Sequence, residues 1–423
     1  MRNHVIALLL ILFFANTGFA QQAIVSREKP LNFSRKDCIN LSIYDWPRTL
    51  LSYPVYFPEG IQSESELNLS DNKQNRSIPF QLSDKVIENG KLKSAVINFF
   101  AELPSGGEFN YTLYLRKNNA SRQSSPITLQ KQASTWLISD GNFGVEIPAG
   151  GINPGHTIPA PIISILNDHQ KIGNNKLHTG QRTVKEIKTS VLESGDLFIE
   201  CGIHYILDNQ ASYYAKVKVI QGYPFVILDE QMENISNQDE VFIDMEWDNF
   251  HPTRRYGNWD RQKEVSVDGG LPIDQPIYTN WSQEDPHWTG MGWIEEPDKQ
   301  MLYRLLPFGG NSTREQVPAI SFWETQDAAR ELGVFVYDHN RWDDQQYGIW
   351  QPTPDLSVYF RYAGQKLYFK YPLHSGSRST AITLYTIEKK QGIVDKFNKS
   401  IDEIAVKGGA DPVSYTHLTL PTI

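Results

Sequence analysis

This chain predicts an all-β protein: a small N-terminal β-sandwich or barrel, a large antiparallel β-sandwich, then one C-terminal linker helix. Three observations carry that expectation. Apolar and polar residues alternate with period two in segment after segment. Pro, Gly and Asn turn residues separate those segments. Helical spacing emerges once, near the C-terminal end.

The first twenty residues stand outside the fold. Met1–Ala20 has a short basic start at Arg2, an apolar run from Val5 to Ala15, and Gly18-Phe19-Ala20 before Gln21. That is the layout of a secretory signal peptide, with cleavage expected after Ala20. The apolar run is too short for a permanent span, and no other segment is apolar enough to cross a bilayer. A periplasmic or secreted protein without membrane insertion is therefore expected.

Residues 25–116 read as the small β-domain. CINLSIY (38–44), YPVYF (53–57), ELNLS (66–70), SIPFQL (77–82), AVINFF (95–100) and EFNYTLYL (108–115) alternate, with turns at Pro58-Glu59-Gly60, Glu88-Asn89-Gly90 and Pro104-Ser105-Gly106-Gly107. Residues 117–133 read as a linker, because KNNASRQSSP (117–126) is polar and aperiodic. The large sandwich is assigned to 134–390. It opens with a hairpin, STWLIS and FGVEIP around Asp140-Gly141-Asn142. Long strands follow at 182–194, 196–207, 212–220, 225–234 and 240–247, and the pattern resumes at 319–324, 332–338, 356–362, 366–373 and 379–387. Strands of this length in antiparallel succession suit a broad sandwich.

The character then changes. Ile393, Val394, Phe397, Ile401 and Ile404 recur at helical spacing, which predicts a helix over 391–408 stopped by Gly408 and Gly409. Such a helix either leads into a following α-helical domain or lies on the sandwich. Residues 413–422 (VSYTHLTLPT) resemble the in-frame translation of a transposase-end sequencing adapter over all ten codons. The natural chain is expected to continue past about Pro412, and a further C-terminal domain is the expected intramolecular partner.

Composition removes several functions. A net charge of −9 argues against nucleic acid or an anionic membrane surface. Cys38 and Cys201 are the only cysteines, either two buried small residues or one cross-link. No CxxC or HExxH pattern supports zinc, no GxGxxG or GxxxxGK[ST] supports a nucleotide, and no GxSxG elbow is present.

The chemistry concentrates in the aromatic stretch. Eight of the ten tryptophans lie between Trp247 and Trp350, interleaved with charged residues. Flat rings offer apolar faces to sugar C–H faces, while carboxylates and guanidiniums bind sugar hydroxyls and carboxylates. In DMEWDNFHPTRRYGNWDRQ (244–262), Arg254 and Arg255 are candidates to grip a uronate carboxylate. Trp247 and Trp259 are candidates to stack on sugars, and His251 and Tyr256 to move a proton. The competing reading is that Glu246, Asp248 and Asp260 merely neutralise the arginines. YTNWSQEDPHWTGMGWIEE (278–296) contributes Trp281 and Trp288 as substrate-binding candidates, or as an interface with another domain. VYDHNRWDDQQYGIW (336–350) contributes His339, Arg341 and Trp342, with Asp343 and Asp344 as an oxygen pair that would suit Ca²⁺. Arg378, in HSGSRST (374–380), is an anion-binding candidate.

The layout from about residue 25 to 405 resembles multidomain polysaccharide lyases, in particular the exo-acting rhamnogalacturonan lyase type. That type has a small N-terminal barrel, a central sandwich and a C-terminal α/α toroid. The resemblance rests on architecture and on segments such as WPRTLLSYPVYFPEG (46–60) and VFVYDHNRWDD (334–344). It carries over no individual catalytic residue. It implies β-elimination on a uronate-containing polysaccharide, in which Arg254 or Arg255 neutralises the carboxylate and His251, Tyr256 or His339 removes the proton. A glycoside hydrolase using carboxyl pairs such as Glu246/Asp248 or Glu295/Glu296, and a carbohydrate-binding protein without catalysis, are the other two readings. All three have a polysaccharide or oligosaccharide as ligand.

Overall fold

A computed structural model describes residues 23–26, 29–34, 46–103, 110–115, 127–151, 158–168, 170–257, 271–273, 294–295, 301–305, 319–324, 328–337, 343–344, 356 and 358–388. It is all-β, as the alternation predicts, and forms two compact units, Met1–Gln123 and Ser124–Tyr415. The helix expected over 391–408 lies outside the described residues.

In the first unit, Ala23–Ile24, Trp46–Ile61, Lys91–Leu103 and Phe80–Glu88 form one four-stranded sheet in that order. Leu31–Ser34, Asn110–Leu115, Leu67–Asp71 and Arg76–Ser77 form the other. Rings close the space between them: Phe33 meets Tyr53 at 4.5 Å and Phe99 at 5.4 Å, and Phe99 meets Tyr111 at 5.3 Å. The turn expected at Pro58-Glu59-Gly60 is instead a bulge inside a 16-residue strand. Pairing with Lys91–Leu103 skips between Tyr56 and Ile61, and Gly60 takes φ +68 there. A bulge absorbs the residues that cannot pair, so the strand continues.

The second unit holds three sheets. Five strands run Gln170–Ile172, Ser164–Asn167, Phe143–Pro148, Thr135–Ser139 and Thr128–Lys131. Thr128–Lys131 lies in the stretch expected as linker. It is a strand because it pairs with Thr135–Ser139 and points Ile127 and Leu129 at the core. The seven-stranded sheet runs Ile158–Pro159, Lys176–His178, Phe242–Glu246, Lys366–Pro372, Val358–Ala363, Met301–Leu305 and Ile294–Glu295. The largest sheet has ten strands. Its path is Val184–Ser194, Phe198–Leu207, Ser212–Ile220, Phe225–Glu233, Gly376–Glu388, Ala328–Val336, Ala319–Trp323, Arg254–Gly257 and Leu271–Pro272, with Asp343–Asp344 also on Gly376–Glu388.

One apolar core joins these sheets. Ile203, Tyr205, Val217 and Leu228 from the ten-stranded sheet and Ile243, Phe360 and Phe369 from the seven-stranded sheet are wholly buried in it. Phe322 packs on Phe360 and Phe369 at 5.6 and 5.7 Å, linking the two sheets through aromatic rings. Cys201 is a buried free thiol whose pKa burial pushes up to about 12, and Cys38 lies outside the described residues.

Arg378, a sequence-level candidate for anion binding, is a structural cation. It is fully buried, donating to Glu230 from Nε at 2.6 Å and from Nη2 at 2.9 Å. Its Nη1 donates to the carbonyls of Leu356 (2.9 Å) and Pro372 (3.1 Å). No external anion reaches it, because its donors are already taken by protein oxygens. Arg378→Met is expected to leave Glu230 buried without a counter-charge, lowering stability by about 3–5 kcal/mol in denaturant unfolding.

Candidate functional site

The densest chemical segment of the sequence is built into the sandwich, not assembled as a catalytic loop. Trp247 is 2% exposed, packs edge-on against Phe369 at 5.1 Å, and lies 3.2 Å from where a Cβ on Gly173 would stand. Its ring faces are covered by protein and present nothing for a sugar to stack on. Glu246 and Asp248 neutralise Lys366, at 2.5 and 3.6 Å, rather than either arginine.

Arg254 and Arg255 are consecutive in the strand Arg254–Gly257, opposite Trp323 and Phe322. Successive side chains in a strand project to opposite faces. Arg255 is 1% exposed and Arg254 is half-buried, so the two cannot close on one carboxylate together. His251 is exposed, and its backbone N–H donates to Glu324 Oε1 at 2.6 Å. Glu324 in turn accepts a two-pronged contact from Arg330, whose Nη2 also donates to the Asn249 carbonyl at 2.6 Å. This Glu324–Arg330 pair, not singled out by the sequence, holds the 247–254 segment in place. Of Tyr256, only the backbone belongs to the described structure. Trp259, Trp281, Trp288, His339, Arg341 and Trp342 lie outside the described residues. Asp343 and Asp344 pair with Ser377 and Gly376, and among the described residues no three His, Cys, Asp or Glu side chains converge as a metal site.

The described residues do assemble a polar site elsewhere, on the outward face of the seven-stranded sheet. Alternation buries Leu177, Ile243, Met245, Leu367, Phe369, Tyr371, Val358 and Phe360, and turns the intervening residues outward. Cross-strand register then lays these out in rows. Lys176, Asp244, Lys370 and Tyr359 form one row. His178, Phe242 and Pro372 form the next, and Glu246, Tyr368 and Arg361 a third. Directly opposed side chains on one face stand about 4.5–5.5 Å apart at Cβ.

The rows are cross-braced. The His178 ring stacks on Phe242 at 4.7 Å and 13°, while the Lys370 ammonium sits 4.3 Å from the Phe242 centroid. Arg361 lies over Tyr368 at 4.4 Å. His178 Nε2 approaches Asp244 Oδ2 to 3.7 Å. Burial raises the Asp244 pKa above the ordinary carboxylate value, outweighing the opposing pull of His178, Arg361 and Lys370.

One end of this face opens into a cleft of about 880 Å³, whose lining includes His178, Glu240, Phe242, Tyr359, Lys370 and Pro372. That volume suits a small ligand or one or two sugar residues. Its wall is rigidly tied. Gly180, at φ +55, brings its backbone so near residue 239 that a Cβ would stand 2.0 Å from the Asp239 carbonyl oxygen. Arg182 grips the Asp239 carboxylate from Nε and Nη2, both at 2.9 Å, and Asp239 also accepts from Ser236 N (2.8 Å) and Oγ (3.0 Å).

No family model matches the chain, and no curated protein matches it. Among the solved structures similar to it are one described as an alpha-mannosidase from Enterococcus faecalis V583 and one described as a protein in the glycosyl hydrolase family 38 from Enterococcus faecalis. Their TM-scores are 0.48 and 0.49, with 9% and 8% sequence identity. Each match covers 93% of this chain, which spans about half of the other chains, 46% and 48%. No residue role is taken from either.

The hydrogen bonds from Arg182 hold the Asp239 carboxyl below the usual carboxylate range, helped by Ser236 and opposed by partial burial. A carboxyl whose folded pKa is depressed stabilises the fold above its unfolded value, and that contribution fades as pH falls through the folded value. Asp239→Asn is therefore expected to cost stability at neutral pH. The gap from wild type should close below about pH 4, read from denaturant midpoints across a pH series.

Proposed function

We propose that this chain is the β-sheet portion of an exported, carbohydrate-active protein, and that it holds an oligosaccharide across the outward face of the seven-stranded sheet. The observation that carries this reading is the set of cross-strand rows. Phe242, Tyr359, Lys370 and His178 line a ligand-sized cleft, and Asp244, Tyr368 and Arg361 continue the same face along the neighbouring register positions. A sugar offers C–H faces to rings and hydroxyls to charged groups, and this surface presents both within a few ångströms. Tyr359 is half-buried in the cleft lining and makes no ring contact among the described residues, so it is the ring assigned to stack on the sugar. The leader-like Met1–Ala20 supports export.

For the whole protein, hydrolytic glycan cleavage is preferred to β-elimination. The eliminative reading, implied by a resemblance of layout, gave Arg254 or Arg255 the task of neutralising the carboxylate. Here Arg255 and Trp247 are buried, and Arg254 projects to the other side of its strand.

Two measurements test this. In a binding assay with the chain, Tyr359→Ala should weaken oligosaccharide affinity about tenfold, or ~1.4 kcal/mol; unchanged affinity would remove the sheet face from the proposal. The complete natural chain, incubated with polysaccharide, should release reducing ends without an ultraviolet-absorbing unsaturated product. Appearance of that chromophore would return the reaction to the lyase class.

A further inference from the structure

Asp244 stands at the centre of an unusual arrangement for so acidic a chain. Lys176 and Lys370 flank it directly on the two neighbouring strands. His178 reaches it at 3.7 Å from the Lys176–His178 strand, and Arg361 acts on it from Val358–Ala363. The other titratable groups on this face are Glu246 on its own strand, Tyr368 opposite Glu246, Tyr359 opposite Lys370, and Glu240 in the cleft lining. Glu246 is occupied by Lys366 at 2.5 Å, so it does little to quench the cations around Asp244. Among the described residues, Lys370 and Arg361 have no carboxylate within ion-pair distance; each rests on an aromatic ring instead. The chain carries a net −9, yet Lys176, Lys370 and Arg361 stand around Asp244 on this face, with Glu246 turned to Lys366 and Glu240 in the cleft lining.

We propose that this cluster is a proton-linked anion site, in which Asp244 is the built-in counter-ion and the carboxylate of an acidic sugar residue replaces it. While Asp244 is ionised, its charge offsets Lys370 and Lys176 across the neighbouring strands and repels the ligand's carboxylate. When it takes up one proton, those ammonium groups turn to the ligand's carboxylate, the Tyr359 ring receives the sugar's C–H face, and the protonated Asp244 donates to a ligand oxygen. The charge change is one proton gained per anionic group bound, with no bond to the sugar made or broken. Phe242 is a positioning residue, holding Lys370 at the cleft mouth. The upward pull of burial on the Asp244 carboxyl is in keeping with this, since it moves the exchange toward mildly acidic solution. This inference rests on the glycan reading above.

The test is titration calorimetry with an oligosaccharide of uronic acid residues and with the same oligosaccharide after carboxyl reduction. For the wild-type chain, affinity for the uronic form should rise as pH falls toward the carboxylate range, and a His178→Gln variant should keep that rise, with the reduced form unaffected. Asp244→Asn should bind the uronic form tightly at neutral pH and lose the pH dependence, a result that no acid-induced unfolding can imitate. Lys370→Met, which keeps the stem on Phe242, should abolish the preference for the uronic form at every pH. If wild type binds both forms with no pH slope, or if Asp244→Asn keeps the slope, the proton-linked site is overturned while the glycan reading stands. If neither form binds at any pH, both are overturned.

Discussion

The Arg378–Glu230 pair is the interaction on which the second unit turns. Two charges without water are costly, and they persist because nearly every donor is spent. Glu230 accepts from Arg378 twice and from the Tyr213 hydroxyl at 2.8 Å. Arg378 spends Nη1 on the carbonyls of Leu356 and Pro372. Burial alone would favour an uncharged guanidine, yet Glu230 outweighs it and keeps the cation. The pair therefore fixes more than a register between Phe225–Glu233 and Gly376–Glu388. Pro372 belongs to the seven-stranded sheet and Arg378 to the ten-stranded one, so the bond to its carbonyl pins one sheet to the other. Pro372 also lines the cleft, two residues from Lys370, so the core interaction and the site share a strand.

Much of the fold was legible because alternation reports directly on which side of a sheet faces apolar neighbours. The strands expected at 212–220, 225–234 and 366–373 are found within a residue of their expected ends. The departures have local causes. Pro58-Glu59-Gly60 has turn composition, but a neighbouring strand long enough to pair on both sides converts it to a bulge. Thr128–Lys131 follows a polar stretch whose average composition masks it, although Ile127 and Leu129 pack on the core. Composition reports the average of a segment, and pairing depends on which two residues of it meet a partner.

The site was far less legible, and the reason is geometric. A sequence scan rewards residues that lie close along the chain, so it favoured 244–262, where acids, arginines and tryptophans crowd together. In a strand, adjacent residues are the ones that cannot cooperate, as Arg254 and Arg255 show. Trp247 takes its place in the core because it continues the inward series Ile243, Met245. His178, Asp244, Tyr359 and Lys370 come from four separate strands and meet only through register. One signal was available: apart from Pro372, the outward positions of KLH (176–178), FIDME (242–246) and KLYFKYP (366–372) are charged or aromatic rather than the serines and threonines of an idle surface.

The energetics of Asp244 argue that these outward positions are more than a solvated surface. A carboxylate surrounded by Lys370, Arg361 and His178 would normally have its pKa drawn down, and here burial prevails. Opposite charges about 4 Å apart gain only ~1 kcal/mol in water and ~4 kcal/mol at the effective dielectric of a protein surface, so small differences in placement decide the sign. The cations are held short of the carboxyl by other contacts, Lys370 by the Phe242 ring and Arg361 by Tyr368, while the His178 imidazole stacks on that same Phe242. An ion pair optimised for stability would have closed these gaps. Rings that keep cations beside a carboxyl without letting them collapse onto it preserve charge that a ligand can still meet, and that is the physical difference between a neutralised surface and a binding one.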